Sequence, residues 1–138
     1  MLLIARPSSK ELKGLKVKHG EPLIRELKRT DLMGLVLPPD EYRGCKGEGV
    51  VLILDEKERF VLVKKAKEDS WFLPSGRIRS CESIEEGTIR EVFEETGLEV
   101  ALESMPAIHK VDLVFSNCVL RLWHFIFVSR TYTGKLEA

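Results

Sequence analysis

The chain has 138 residues, 43% of them hydrophobic, with 22 basic and 22 acidic side chains. That length and apolar content suit one domain around one core and exclude a disordered chain. A net charge of zero removes bulk electrostatics as a reason to bind nucleic acid or a membrane surface, so neither is expected as a partner, and an anionic ligand needs a cation placed locally.

Residues 1–46 form an N-terminal extension. Within it, 21–28 reads as a short helix: Pro22 suits the first helical position, Leu23, Ile24 and Leu27 give one apolar side, and Gly34 suits a stop. Residues 35–37 read as a short strand and 42–47 as a loop leading into the main domain, 47–138. Two apolar runs, 50–54 and 60–63, flank a short charged stretch and predict a β-hairpin. Lys64, Lys65 and Lys67 follow in a polar loop. Trp71-Phe72-Leu73 is a short extended piece that Pro74-Ser75-Gly76 stops. A helix from Ser83 to about Thr96 is announced by a capping box, Ser83 with Glu86, and ended by Gly97. Two strands, 111–115 and 119–128, meet at a turn through Ser116-Asn117, and 131–138 is a polar tail.

Cys45, Cys81 and Cys118 are far apart and form no C-x-x-C pair, which argues against a disulfide framework or a thiolate zinc site. His19, His109 and His124 lack ligand spacing. The longest apolar run, 119–128, is interrupted by Arg121 and His124, so no membrane span is expected and a cytoplasmic location is.

The chemistry concentrates on the helix after Ser83. With Glu91 at zero on a helical wheel, Glu95 lies near about 40° and Glu94 near about 300°, while Val92, Ile89 and Phe93 take the other side. Like charges at this spacing destabilise a helix, and carboxylates in its last turn oppose the helix dipole. Arg90 offsets part of this. Two readings remain open on spacing alone: a solvated acidic face, or a carboxylate set that grips a divalent cation. Gly87, inside the helix, either makes room for a loop or ligand or avoids crowding.

The order Gly76, five residues, Glu82, seven residues, Arg90-Glu91-Val92, one residue, Glu94-Glu95, one residue, Gly97-Leu98 resembles the Nudix box (76–98) in every fixed position. The approach Trp71-Phe72-Leu73-Pro74-Ser75 also resembles that family. The resemblance implies an α/β fold of the Nudix type, an α/β/α sandwich with a mixed β-sheet. It implies Mg2+ or Mn2+ held by Glu91, Glu94 and Glu95 with the Gly76 carbonyl. Glu91, Arg90 and Glu94 would be catalytic, with Glu82 and Gly97 in support. The activity implied is hydrolysis of a nucleoside diphosphate linked to another moiety X, with oxidised nucleotides, ADP-ribose and nucleoside triphosphates in view. The general base would be Glu91 or a later acid among Glu99, Glu103, Asp112 and Glu137. Trp71, Lys65 and Trp123 are candidates to contact a small-molecule nucleotide.

Ser75 stands where many family members have glycine or alanine. The chain also ends before the C-terminal strand and helix usual in the family, so the extension is expected to cover the second face of the sheet, within the chain or by exchange in a homodimer. The marker proline of many ADP-ribose hydrolases is absent; Val114 stands there. The alternative function is a catalytically silent Nudix-fold module that binds a nucleotide.

Overall fold

The computed structural model describes residues 1–64, 66 and 69–137. Its elements in order are β1 (Leu2–Ala5), α1 (Ser9–His19), β2 (Leu23–Arg29), β3 (Glu48–Ile53), β4 (Val63–Lys64), β5 (Trp71–Phe72), β6 (Ser75–Arg77), α2 (Ile84–Thr96), β7 (Leu98–Ala101), β8 (Ser104–Val114), β9 (Val119–Ser129) and β10 (Thr131–Gly134). The fold is α/β around a mixed sheet ordered β2-β8-β9-β3-β6, with β1 paired to β9. β2 runs parallel to β8, and β3 and β1 run parallel to β9. β8–β9 and β3–β6 are antiparallel.

Strand β9 shows why one sheet carries two clusters. Leu120 and Leu122 point to one face, Trp123, Phe125 and Phe127 to the other, and all five are buried. On the second of these faces Phe125 and Phe127 pack with Val51 and Ile53 of β3, Ile108 of β8, Leu15 of α1, and Ile84 and Val92 of α2, so both helices cover the same side. The opposite face gathers Ala5, Val111, Leu113, Leu120 and Leu122 beneath Leu37, Leu32 and Tyr42 from the connection between β2 and β3. Asn117 fastens that connection: its side-chain oxygen accepts from the Leu37 amide at 2.9 Å and its Nδ2 donates to the Leu37 carbonyl at 3.0 Å.

The extension departs from its sequence reading. Residues 21–28, expected as a helix, instead lead into and make most of strand β2 on the sheet edge, and the helix lies upstream at Ser9–His19. The signal was present in Ser8 and Glu11: the Ser8 hydroxyl accepts from the Glu11 amide at 3.2 Å, and Gly20, at φ 87°, closes the helix. Pro22 precedes a strand because the backbone from Leu23 to Arg29 pairs in parallel with β8, Leu23 opposite Ala107 and Arg29 opposite Leu113, while every side chain of β2 stays exposed. Residues 35–37 are not a strand. The expected hairpin is reduced to a bridge between Leu54 and Phe60, with β4 pairing β5 beyond it. The polar tail begins as β10, paired antiparallel to β7. Among the described residues no helix is long and apolar enough to cross a membrane.

Candidate active site

Helix α2 forms where its caps predict. The Ser83 hydroxyl accepts from the Glu86 amide at 3.1 Å, and the Gly97 amide donates to the Phe93 carbonyl at 2.8 Å with Gly97 at φ 78°. A side chain at Gly97 would be strained, and its Cβ would also fall 2.6 Å from the Lys135 carbonyl oxygen. Gly97 therefore lets the tail after β10 cross the end of α2, and the Glu137 amide donates to the Thr96 carbonyl at 3.0 Å.

The buried stripe of α2 is Ile84, Gly87, Thr88, Val92 and Thr96. Phe93, expected on the core face, is 54% exposed. Small residues take its place because the sheet approaches closely: a Cβ on Gly49 of β3 would lie 2.6 Å from Thr88 Cβ. Gly87 makes room for a loop, since a Cβ there would meet Ile78 Cγ2 at 2.9 Å and Glu82 Oε1 at 3.0 Å. This tight packing turns Glu91 and Glu95 toward β6 and its flanks.

Arg90 organises the cluster. Its Nε and Nη2 donate to the two Glu82 oxygens at 2.6 and 2.9 Å, its Nη1 to Glu91 Oε1 at 2.8 Å and Glu94 Oε2 at 3.2 Å, and its Nη2 also to the Arg77 carbonyl at 3.1 Å. The fork geometry of guanidinium suits it to hold several carboxylates at once. Hydrogen bonds from Arg90 hold the Glu82 carboxyl down to about 2, and the Glu82 partnership raises Arg90 further above its ordinary value. Glu82 Oε1 also accepts from the Arg79 amide at 2.9 Å, which ties the loop before α2 to the same charge. Glu95 engages the start of β6: its Oε1 accepts from the Ser75 amide at 3.1 Å. Gly76, paired with Gly49, lies so close to Glu91 that a Cβ there would overlap the Glu91 carboxyl group.

The extension supports this arrangement, which sequence reasoning missed. Lys46 Nζ donates to the Glu82 carbonyl at 2.7 Å and to Glu11 Oε1 at 3.0 Å, while Glu11 Oε2 accepts from the Ile84 amide at 3.0 Å. Lys18 and His19 both reach Glu85. Only the Ser8–Glu11 capping box pointed to α1; nothing local links Lys46 to Glu82 across that many residues.

A cleft of about 710 Å³ opens beside the C-terminal end of α2, with Glu95 and Thr96 on its wall. Trp71, Lys64 and Glu137 also line it. Trp123 does not join them. It is buried in the core, with the Arg6 guanidinium 5.0 Å and the Lys110 ammonium 4.6 Å from its ring centre. Lys65 and Lys67 lie outside the described residues. Of the later acids, Asp112 is held by Arg121 at 2.8 Å and Glu103 accepts from the Arg130 amide at 2.9 Å; Glu99 lies on β7, and Glu137 shares the cleft with Glu95.

Among the described residues no three His, Cys, Asp or Glu side chains are gathered tightly enough to hold a metal. The reason is visible: Arg90 draws Glu91 and Glu94 to itself and Ser75 holds Glu95. The donor chemistry nevertheless fits a hard dication. Glu91 and Glu94 each give one oxygen to Arg90, and an ionised carboxylate has capacity for more than one partner.

The NUDIX domain family matches residues 47–138, two thirds of the chain, and the chain belongs to that family. It is 34% identical to the human 8-oxo-dGDP phosphatase NUDT18 over 106 residues, 72% of this chain and 31% of that one. To an RNA pyrophosphohydrolase of Ruthia magnifica it is 42% identical over 63 residues, 46% of this chain and 34% of that one. The chain spans roughly half or less of the length of the curated relatives it matches. The solution structure of the E. coli ORF135 protein shares the fold, with a TM-score of 0.50 over 66% of each chain at 23% identity.

Proposed function

We propose that this chain is a divalent-metal-dependent hydrolase that cleaves a nucleoside diphosphate linkage to another moiety X. The observation that carries the reading is the Arg90 hub, which fixes Glu91 and Glu94 along one edge of α2 and Glu82 on the loop before it, while Glu95 opens onto a cleft large enough for a nucleotide. Family membership and the names of the relatives support it.

Glu91, Glu94 and Glu95, with the Gly76 carbonyl, would hold Mg2+ or Mn2+. When bound, such an ion neutralises phosphate charge and lowers the pKa of a coordinated water. The chain's own residues do the rest. Arg90 orients two glutamates and balances their repulsion, so that their carboxylates are spent on the ligand and not on spreading apart. Lys64 stands on the cleft wall as a cation for phosphate oxygens. Water attacks one phosphorus, the anhydride P–O bond breaks, and a carboxylate takes the water proton. Glu91 can act as that base from the box, or Glu137 from the tail beside Glu95.

The silent-module alternative draws on Glu91 and Glu94 both being turned onto Arg90. The two readings part in a panel of 8-oxo-dGTP, 8-oxo-dGDP, ADP-ribose, diadenosine polyphosphates and nucleotide sugars, assayed with and without Mg2+. Hydrolysis of at least one, with a loss of about 100-fold in Glu94→Gln, is expected from the usual weight of an electrostatic catalytic group. Nucleotide binding without product across the panel would establish the silent module.

A further inference from the structure

The cleft beside Glu95 has a floor of Ile53 and Val61, which belong to or pack on the core, and around it rings and aliphatic side chains that stand outside both core clusters. Phe60 follows the charged turn of the hairpin, Trp71 lies on β5 and Tyr132 on β10, three segments far apart in sequence. Phe60 is 53% and Trp71 61% exposed, and Leu62 and Leu136 beside them are exposed as well. None belongs to either core cluster. A folded domain seldom leaves apolar side chains converging on one concave surface unless something binds there.

The polar groups at this surface are Asp55, Arg59, Lys64, Glu95, Thr96 and Glu137, beside the Tyr132 hydroxyl. The Lys64 ammonium lies 5.9 Å from the centre of the Trp71 ring. Arg59 and Asp55 are paired with each other at 2.7 Å and close the hairpin turn. Glu95 and Thr96 join the cleft to α2, and Glu91 lies one helical turn, about 6 Å, further along the same edge. An aromatic surface that continues into a carboxylate edge matches a molecule that is a flat ring at one end and a diphosphate at the other.

We propose that this cleft is the nucleobase site, and that Trp71, with Phe60 and Tyr132, selects substrates carrying a planar purine. The inference rests on the hydrolase reading for the position of the diphosphate. Base–aromatic stacking is tolerant of hydrogen-bonding pattern and grows with ring area, so purines should bind more tightly than pyrimidines and a ribose phosphate without a base should gain nothing. Trp123, the chain's other tryptophan, is buried in the core, so changes in tryptophan emission on ligand addition report Trp71.

The test uses the full chain and GMP, AMP, CMP and ribose 5-phosphate in the absence of metal, with tryptophan fluorescence as the readout. The purine monophosphates should quench emission at lower concentration than CMP. Ribose 5-phosphate should leave it unaltered, and Trp71→Phe should abolish most of the change. In steady-state hydrolysis of whichever purine nucleotide is turned over, Trp71→Ala and Tyr132→Ala should lower kcat/KM by about 5- to 150-fold, the range of one stacked base, mainly through KM. Trp71→Phe should recover most of that loss, and melting temperatures exclude unfolding as its cause. Equal quenching by ribose 5-phosphate, or unaltered KM in both alanine variants, overturns the base site while hydrolysis and the Glu94→Gln loss leave the hydrolase reading standing. Purine-selective quenching with no turnover of any substrate leaves the base site standing and overturns the hydrolase reading.

Discussion

Replacing Gly76 by alanine should disable the site while sparing the fold. Gly76 sits on β6 opposite Gly49 of β3, and a Cβ at position 76 would overlap Cγ, Cδ and Oε2 of Glu91. Those are the far atoms of a flexible side chain, so the carboxylate yields and the strand does not. An off-rotamer glutamate costs about 1 kcal/mol, roughly 4 °C of melting temperature for a chain of this size. Arg90 keeps Glu82 throughout, which limits the loss. The Glu91 carboxylate, displaced from Gly76 and from Arg90, should lower activity by about 10- to 100-fold, with half-activation moved to higher Mg2+. Gly49→Ala is the contrast. Its Cβ would fall 2.6 Å from Thr88 Cβ, and Thr88 is fully buried with its hydroxyl donating to the Ile84 carbonyl at 2.7 Å. Only lifting α2 off β3 relieves that, an overpacking cost of about 3 kcal/mol. Phosphate release across a Mg2+ titration and thermal melting of both variants decide the matter. A Gly76→Ala protein that melts as low as Gly49→Ala yet keeps its activity per folded molecule would refute the reasoning.

Glu82→Gln should cost about 1.5–3 kcal/mol at neutral pH, the weight of hydrogen bonds to a charged partner. Because the Glu82 carboxyl is held down to about 2, its contribution is complete above its unfolded value near 4.5 and is lost as pH falls toward about 2. The gap in melting temperature between wild type and variant should therefore close across that window; a constant gap contradicts the assignment. His124 behaves with the same sign. Burial, reinforced by His109 and Arg29, outweighs the attraction of Glu48 and lowers its pKa below 6.5, and its Nε2 lies 3.4 Å from Glu48 Oε2 without forming a hydrogen bond. Below pH 6.5 the unfolded chain takes up the proton more readily, so stability should fall with pH there, and His124→Gln should flatten the slope of melting temperature against pH. Deleting residues 1–40 removes Leu15 from one core cluster and Ala5 and Leu37 from the other, and strips β8 of its β2 partner and β9 of its β1 partner, so the remainder should aggregate. A soluble, folded deletion variant would show that the extension is dispensable.

What was legible in the sequence was local. The Ser83–Glu86 box and Gly97 bracket α2 because caps satisfy backbone groups within a few residues, and the spacing from Gly76 to Leu98 brings Glu82, Arg90 and Glu91 together because a loop and a helix of fixed pitch leave little freedom between them. What failed was non-local. Residues 21–28 read as a helix from Pro22, Leu23, Ile24 and Leu27, and the outcome is instead a strand because the segment's partner, β8, lies more than eighty residues away. The buried stripe of α2 departs from the apolar face of the helical wheel at Phe93 because close neighbours, β3 at Thr88 and Ile78 at Gly87, select small residues there.

The same distinction bears on how the site works. Every contact that positions Glu82 from outside the box is non-local: Lys46 from the start of β3's approach, and through it Glu11 from α1. These buttresses act on the loop that carries Glu82, and Glu82 acts on Arg90, which in turn holds the glutamates. A family-wide motif is thus stiffened by residues that belong to this chain's extension. The extension is consequently a determinant of how rigidly the carboxylates are held, in addition to covering the sheet. Lys46→Ala tests this: Lys46 bonds to none of Glu91, Glu94 and Glu95 and does not line the cleft, yet its loss should raise the Mg2+ needed for half-activation, because Glu82 loses the amine that anchors its carbonyl. If Mg2+ dependence is unaltered in that variant, the extension serves the fold alone and the Arg90 hub is rigid without it.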